Sequence, residues 1–376
     1  FISDSIKYIG ADDTTLDLFE SQYKVPNGMA YNSYIILDEK VAVMDTIDKR
    51  KSEEWFNNLN ATLNGRDVDY IVISHLEPDH ADNIKALADK YPDAKLVLSA
   101  KAKAMLPQFF NIDNLDERCQ VVAENDELSL GKHKLVFIMA PMVHWPEVML
   151  EYETTEKVLF SADAFGKFGA LCTDEDWTCE ARRYYFNIVG KYGAPVQTLL
   201  KKAAGLDIKT ICPLHGPVLK DNLNYYIEKY LTWSSYEPED DGILVACASI
   251  HGNTKAAALK MVDILKEKGH EKVAFTDLTR DDMAEAVEDA FRYGRLIVAA
   301  ASYDGGVFPP MEDFVNRLSH KAYQKRKVGI IENGSWAPTA ARWLKTAFDG
   351  MKNITICPDI VTIKSVSYTH LRAHET

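Results

Sequence analysis

Val68-Asp69-Tyr70-Ile71-Val72-Ile73-Ser74-His75-Leu76-Glu77-Pro78-Asp79-His80 is an apolar run that ends in a dense group of imidazole and carboxylate side chains. Its length and β-branched content predict a strand. Three more apolar runs end in the same way. Residues 135–142 lead to His144, residues 157–162 to Asp163, and residues 210–214 to His215. Strands that converge on one edge of a sheet can bring such ends together from distant parts of the chain. A single histidine at a strand end is ordinarily a surface residue or a satisfied polar one. The inference rests on recurrence at four strand ends and on the tight H-x-E-x-D-H cluster. The candidates are His75, Glu77, Asp79, His80, His144, Asp163 and His215. Iron and zinc both accept imidazole and carboxylate, with no need for thiolates. Seven ligands exceed one tetrahedral ion and suit two metals with open positions. A shared carboxylate would offset the repulsion between the two cations.

Outward from this cluster, the chain reads as two halves. Residues 32–38 and 41–45 form a hairpin turning at Glu39-Lys40. Further strands are predicted at 68–74, 95–99, 134–140, 148–152 and 157–161, with helices at 51–63, 82–91, 178–192 and 196–205. Hairpin-linked strands among helices predict a mixed-sheet sandwich covered by helices, not a purely parallel sheet. Tyr236-Glu237-Pro238-Glu239-Asp240-Asp241-Gly242 is a polar break and marks the boundary between a domain of residues 1–238 and one of residues 239–365. After it, strands at 243–248, 272–276, 295–300, 327–331 and 354–357 alternate with helices at 254–268, 281–289, 310–319 and 338–350. Each strand is apolar on both faces, which predicts a doubly wound parallel α/β sheet.

Composition excludes several classes. The 376 residues carry a formal net charge of −13, against a nucleic-acid binder. Six cysteines lie apart without a C-x-x-C pair, so neither a zinc ribbon nor a rubredoxin-like iron site is encoded. Their scatter suits reduced thiols and a cytoplasmic setting. No apolar stretch reaches the ~20 residues that span a bilayer, and no signal-peptide pattern opens the chain. Residues 366–376 break the preceding rhythm and are expected to be a non-native tail, so His370 and His374 stay outside the metal reading.

The first strand of the second half runs into Ser249-Ile250-His251-Gly252-Asn253-Thr254 and then a helix. Small and hydroxyl residues at a helix N-terminus present N–H and O–H groups to a phosphate. The loop lacks G-x-G-x-x-G, which disfavours a dinucleotide. Two later strand ends carry Ser302-Tyr303-Asp304-Gly305-Gly306 and Asn333-Gly334-Ser335-Trp336-Ala337. Ligands of doubly wound sheets bind beyond such ends.

The first half resembles the metallo-β-lactamase-like fold, whose usual signature is H-x-H-x-D-H. Here Glu77 takes the place of the second histidine. That makes the site harder and more anionic, favouring iron over zinc. With His144-Trp145-Pro146-Glu147, Ser161-Ala162-Asp163 and Pro213-Leu214-His215-Gly216, the chain resembles the flavodiiron proteins over nearly its whole length. The loop at 249–254 is similar to the flavodoxin phosphate loop that binds FMN. The resemblance implies a metallo-β-lactamase-like αββα sandwich followed by a flavodoxin-like sheet. It implies one iron on His75, Glu77 and His144, a second on Asp79, His80 and His215, and Asp163 between them. It also implies FMN in the loops above, with Tyr303, Phe308 or Trp336 packing on the ring. Dioxygen or nitric oxide would be the substrate, a rubredoxin-like protein the donor, and a head-to-tail homodimer or tetramer the assembly. One stretch departs: residues 171–180 are shorter than the family's corresponding loop. After it, Tyr184 and Tyr185 suit a packed helix face better than a hydroxyl near the metals. Two other readings stay open on the residues alone: a zinc hydrolase with an accessory second domain, and a non-catalytic electron carrier.

Overall fold

The structure, a computed structural model, describes residues 2–366. The tail expected at 366–376 therefore lies, apart from Val366, outside the described residues. Two compact units emerge. The first holds the residues up to Tyr185 together with Ala194–Leu231; the second holds Phe186–Gly193 and the chain from Thr232 onward.

The first unit is a sandwich of two sheets. One has the order Ile6–Tyr8, Tyr34–Leu37, Val41–Met44, Tyr70–Ile73, Lys95–Ser99, Cys119–Val122. Its first two pairings are antiparallel and the rest parallel. The other has the order Glu127–Ser129, Lys134–Met139, Met149–Glu153, Val158–Phe160, Thr210–Cys212, antiparallel until the last, parallel pair. Alternation along the strands puts Ile36, Ala42, Val72 and Val97 from one sheet against Leu135, Phe137, Met149 and Phe160 from the other. Apart from Ala42, each such side chain contributes about 1.5–3 kcal/mol when fully buried. The helix Ser52–Leu63 shows how the covering layer forms. Glu53 and Glu54 favour its N-terminus, Trp55, Leu59 and Leu63 recur on one buried face, and Asn64 ends it in the left-handed conformation.

The second unit has a central parallel sheet in the order Val273–Asp277, Asp240–Ala248, Tyr293–Tyr303, Lys327–Asn333, Thr355–Ile356. In sequence terms this is 2-1-3-4-5, the flavodoxin-like arrangement. Val245, Cys247, Ala299 and Ile331 pack against Ala257, Ala258 and Val262 of the helix Asn253–Glu267. Its first strand starts at Asp240, earlier than the polar composition of 236–242 suggests. Asp240 pairs with Tyr293, and its carboxylate is held by Lys272 and by Arg292 Nε at 2.8 Å. Arg326 is 2% exposed and donates only to carbonyl oxygens, among them those of Tyr293 at 2.8 Å, Tyr236 at 2.7 Å and Gln324 at 3.0 Å.

The helix expected at 178–192 is not continuous. An α-helix covers Trp177–Tyr184, a π turn follows over Tyr185–Val189, and a 3-10 turn over Gly190–Tyr192. The Tyr185 N–H is shared between the carbonyls of Ala181 and Arg182 where the helix widens. Beyond that point Phe186 stacks on Phe291, with ring centroids 4.3 Å apart, and Asn187 donates to Ala284 O. Side-chain periodicity carries no sign of that change in winding.

Candidate metal centre

His75 follows the strand Tyr70–Ile73, whose apolar residues are consumed by the core, so that the first polar side chains emerge at its end. Pro78 opens a single helical turn, Pro78–Ala81, with Glu77 as its N-cap residue. The turn divides the cluster between two sites. His75, Glu77, His144 and Asp163 bring one ligand atom each within 4.8 Å of one another, and so do Asp79, His80 and His215. Asp163 belongs geometrically to both. Its Oδ2 lies 3.4 Å from His75 Nε2 and 3.0 Å from His144 Nε2. Its Oδ1 lies 3.2 Å from His80 Nε2 and 3.8 Å from His215 Nε2. All seven residues taken from the sequence are thus gathered at one place.

Several neighbours fix the imidazoles. His75 Nδ1 is 2.8 Å from Glu147 Oε1, which also accepts the Leu76 N–H. His215 Nδ1 donates to Ala30 O at 2.7 Å, leaving Nε2 to face the centre. The Pro213–Gly216 turn is held by Asn32 Nδ2 on the carbonyls of Pro213 and Gly216, and by the Tyr34 hydroxyl on Pro213 O. Gly216 has φ +78, and a Cβ there would meet Lys167 Cγ at 2.8 Å. Asn32 and Ala30 carry no signal in the sequence, and Glu147 enters it only as the end of the stretch His144-Trp145-Pro146-Glu147. Glu147 sits beside His144-Trp145-Pro146, but only the pairing of the sheets brings it to His75.

The charge balance fits metal. Both oxygens of Asp79 and of Asp163, and His80 Nδ1, are buried without a hydrogen bond. Buried anions left so are costly unless a cation meets them. Burial and the nearby acids push Asp79 up to about 7, although the His80 charge opposes this. Burial works against ionisation of Asp163 and Glu77, yet the surrounding histidines win and hold both below the usual range. His144, against its own burial, is pushed up to about 9 by Asp163 and Glu77. These carboxylates draw protons onto the imidazoles that a metal would displace. Four imidazoles and three carboxylates in two groups, sharing Asp163, match the donor set of two borderline-to-hard cations.

A cavity of about 280 Å³ reaches the centre from outside, past Glu20, Tyr31, Arg50, Glu77 and Asp79. Glu20, at the tip of a hairpin, has φ 48 and is exposed as a residue. It nevertheless lines the same cavity as Glu77. Local burial and the Glu77 charge push it up to about 7. No sequence signal marked it. The short 171–180 stretch supplies no member of the two groups. Leu171 and Cys172 donate their N–H groups to Asp12, and Trp177 Nε1 donates to Phe165 O. Tyr184 and Tyr185 are both buried, as a packed face requires. The Tyr184 ring also lies 5.5 Å from that of His215.

In the second unit, the three predicted loops line one cavity of about 660 Å³. It includes Ile250, His251, Asn253 and Thr254, then Ser302, Tyr303, Asp304 and Gly305, then Asn333, Gly334, Ser335, Trp336 and Ala337. Ser249, Gly252 and Gly306 do not line it. Ser249 Oγ accepts the Gly252 N–H at 3.0 Å, and Gly306 O accepts the Thr339 hydroxyl, so they shape its walls. Phe308 packs near Tyr303, with centroids 5.7 Å apart, and is also outside the lining. Ala301, Thr339 and Ser365 line the cavity unforeseen. Gly252 has φ +90, and the helix it opens has no side-chain cap. Its first N–H groups are left for an anion. Trp336, 92% exposed, stands at the rim, where an aromatic ligand could cover it.

A family model described as ODP family beta lactamase matches residues 29–216. The chain belongs to this family. Within the ODP family's span lie all seven clustered residues. The anaerobic nitric oxide reductase flavorubredoxin of Salmonella arizonae is 29% identical over 357 residues, covering 92% of this chain and 74% of its own. That of Klebsiella pneumoniae is also 29% identical, covering 92% and 73%. The rubredoxin oxygen:oxidoreductase of Desulfovibrio gigas superposes with a TM-score of 0.91 at 25% identity, over 98% of this chain and 94% of that one. The flavodiiron protein of Giardia intestinalis gives 0.92 at 23% identity, over 99% and 93%. The fold is that of the flavodiiron proteins: a β-lactamase-like sandwich followed by a flavodoxin-like sheet.

Proposed function

We propose that this chain is a flavodiiron oxidoreductase that reduces dioxygen to water, nitric oxide to nitrous oxide, or both. The observation that carries the reading is Asp163, with one oxygen turned to each histidine-bearing group. In this reading His75, Glu77 and His144 would hold one iron, Asp79, His80 and His215 the other, and Asp163 would be available to both. Residues 1–238 form the diiron domain and residues 239–365 the FMN domain. Bound in these places, two irons and an FMN supply the electrons and the electrophilic positions that gas reduction requires.

The chain's own residues orient and balance that chemistry. Glu147 and Ala30 O fix the rings of His75 and His215 so that their Nε2 atoms point inward. Glu20 can hold a proton on its carboxyl oxygen at the mouth, beside Glu77. Around the flavin cavity, the open helix N-terminus and the Thr254 hydroxyl suit a phosphate, while Tyr303 and Trp336 suit a ring. A rubredoxin-like donor is favoured by the names of the relatives in Salmonella arizonae and Desulfovibrio gigas. We place the protein in the cytoplasm as a head-to-tail homodimer or tetramer. No helix of the described residues is long and apolar enough to cross a membrane.

The test is an anaerobic assay of both gases with reduced rubredoxin, on protein of measured iron and flavin content. Consumption of either gas supports the reading. Protein that carries two zincs, no flavin and no gas-consuming activity would favour a hydrolase instead.

A further inference from the structure

Tyr31 ends the strand Met29–Tyr31 and lines the cavity of about 280 Å³ that reaches the metal centre. It is 1% exposed, and its ring centroid lies 5.9 Å from that of His215. Arg50 lines the same cavity and donates from Nη2 to the Tyr31 hydroxyl at 2.9 Å. The guanidinium is anchored behind that contact, with Nε 3.3 Å from Asp13 Oδ2 and 3.3 Å from Asp48 Oδ1. Asp13 is buried in turn, and its other oxygen accepts the N–H groups of Thr15 and Leu16 and the Thr15 hydroxyl. A guanidinium has donors and no acceptor, so the phenol oxygen can only accept from it. Tyr31 therefore keeps a proton of its own to donate. Among the described residues that proton meets no acceptor. An unpaired O–H in so buried a residue is costly.

We infer that Tyr31 donates a hydrogen bond to the oxygen atom of the small molecule that enters this cavity, and that Arg50 is its positioning residue. The inference rests on the reading of this mouth as the entry for dioxygen or nitric oxide. Either molecule can present an oxygen lone pair to a donor. A fixed donor gains strength as negative charge develops on that oxygen during reduction. Arg50, by donating to the phenol oxygen, polarises the O–H and makes it the better donor. Asp13 and Asp48 balance the guanidinium charge. What this wall offers a guest is therefore a neutral donor, which suits an uncharged molecule.

The probe is nitric oxide, added anaerobically to the whole chain loaded with ferrous iron, at one molecule per two irons, and read by infrared spectroscopy. A hydrogen bond to the oxygen lowers the N–O stretch. Y31F is therefore expected to move the band to higher frequency and to weaken nitric oxide binding about two- to tenfold, with iron content as in wild type. R50A is expected to move the band the same way, and R50K, which keeps a donor to the phenol, to restore it. A Y31F band at the wild-type frequency overturns the donor role. A shifted Y31F band with an unshifted R50A band overturns the positioning role alone. Should Y31F not fold, R50A carries the test, and a wild-type band there overturns the pair. A wild-type protein that takes up iron yet gives no N–O band overturns the reading of the mouth as a gas entry and the donor role with it, an outcome distinct from an unshifted band.

Discussion

Single residues at the centre act through charge that has nowhere else to go. Glu77→Ala or His80→Ala is expected to lower iron content while flavin stays bound, because the two sites occupy different units. Metal analysis beside flavin absorbance checks this, and loss of flavin with both irons retained would contradict it. Thr254→Ala is expected to weaken FMN binding by about 1–3 kcal/mol if its hydroxyl meets the phosphate; fluorescence titration reads the change. Metal uptake is also expected to release protons. His144 is pushed up to about 9, so its imidazole carries a proton at neutral pH before a metal arrives, and His75, against its own burial, is raised well above the usual histidine range by Asp163, Glu147 and Glu77. Affinity should therefore rise with pH until His144 has lost its proton near 9, and calorimetry in buffers of differing ionisation enthalpy would count the release. The ligands were legible because each closes an apolar run. Asn32 was not, since polar residues of that type are common and only sheet register turns it inward, and Glu147 was legible as part of a motif but not as the partner of His75. Glu20 was hidden for another reason: a glutamate at a hairpin tip reads as solvated.

At the level of elements, caps and turns set what each end can bind. Gly252 opens its helix at φ +90, where a side chain costs about 1–2 kcal/mol. Gly252→Ala is thus expected to weaken FMN more than it destabilises the unit, since the space around it is open. A flavin affinity equal to wild type would show that the loop tolerates reshaping. At the helix Met283–Arg292 the Asp282 carboxylate accepts the Ala284 N–H. Asp282→Ala should cost about 1 kcal/mol in denaturant melts. The five strands of the second sheet were legible from apolar runs between turn signals. Short edge strands such as Cys119–Val122 and Glu127–Ser129 were not, because their burial is partial and their pattern mixed. The break in winding at Tyr185–Val189 was equally silent: a π turn and an α turn place their apolar residues alike over so short a stretch.

For the molecule as a whole, two cores imply two stabilities. Chelation should lower the melting transition of the first unit and leave that of the second in place, because a ligand that binds the native state stabilises it by mass action, about 2.7 kcal/mol at a hundredfold excess over Kd. Calorimetry of metal-loaded and stripped protein would resolve the two. The second unit should show its own acid sensitivity. Burial opposes ionisation of Asp240, but Lys272 and Arg292 prevail and depress its pKa in the folded state. Its contribution is present above the ordinary aspartate value near 4 and is lost as pH falls through the lower folded value. Asp240→Asn should flatten that limb.

Arg326 carries a further consequence. Its guanidinium lies in the interior, solvated by the carbonyl dipoles of three separate stretches of backbone, Tyr236 among them. The lead-in before the first parallel strand therefore completes an inner coordination shell and is more than a tether. A recombinant flavin fragment trimmed to start at Asp240 would strip one dipole from a charge that cannot relax into water. Starting the fragment a few residues upstream, so that Tyr236 is kept, would leave the shell whole.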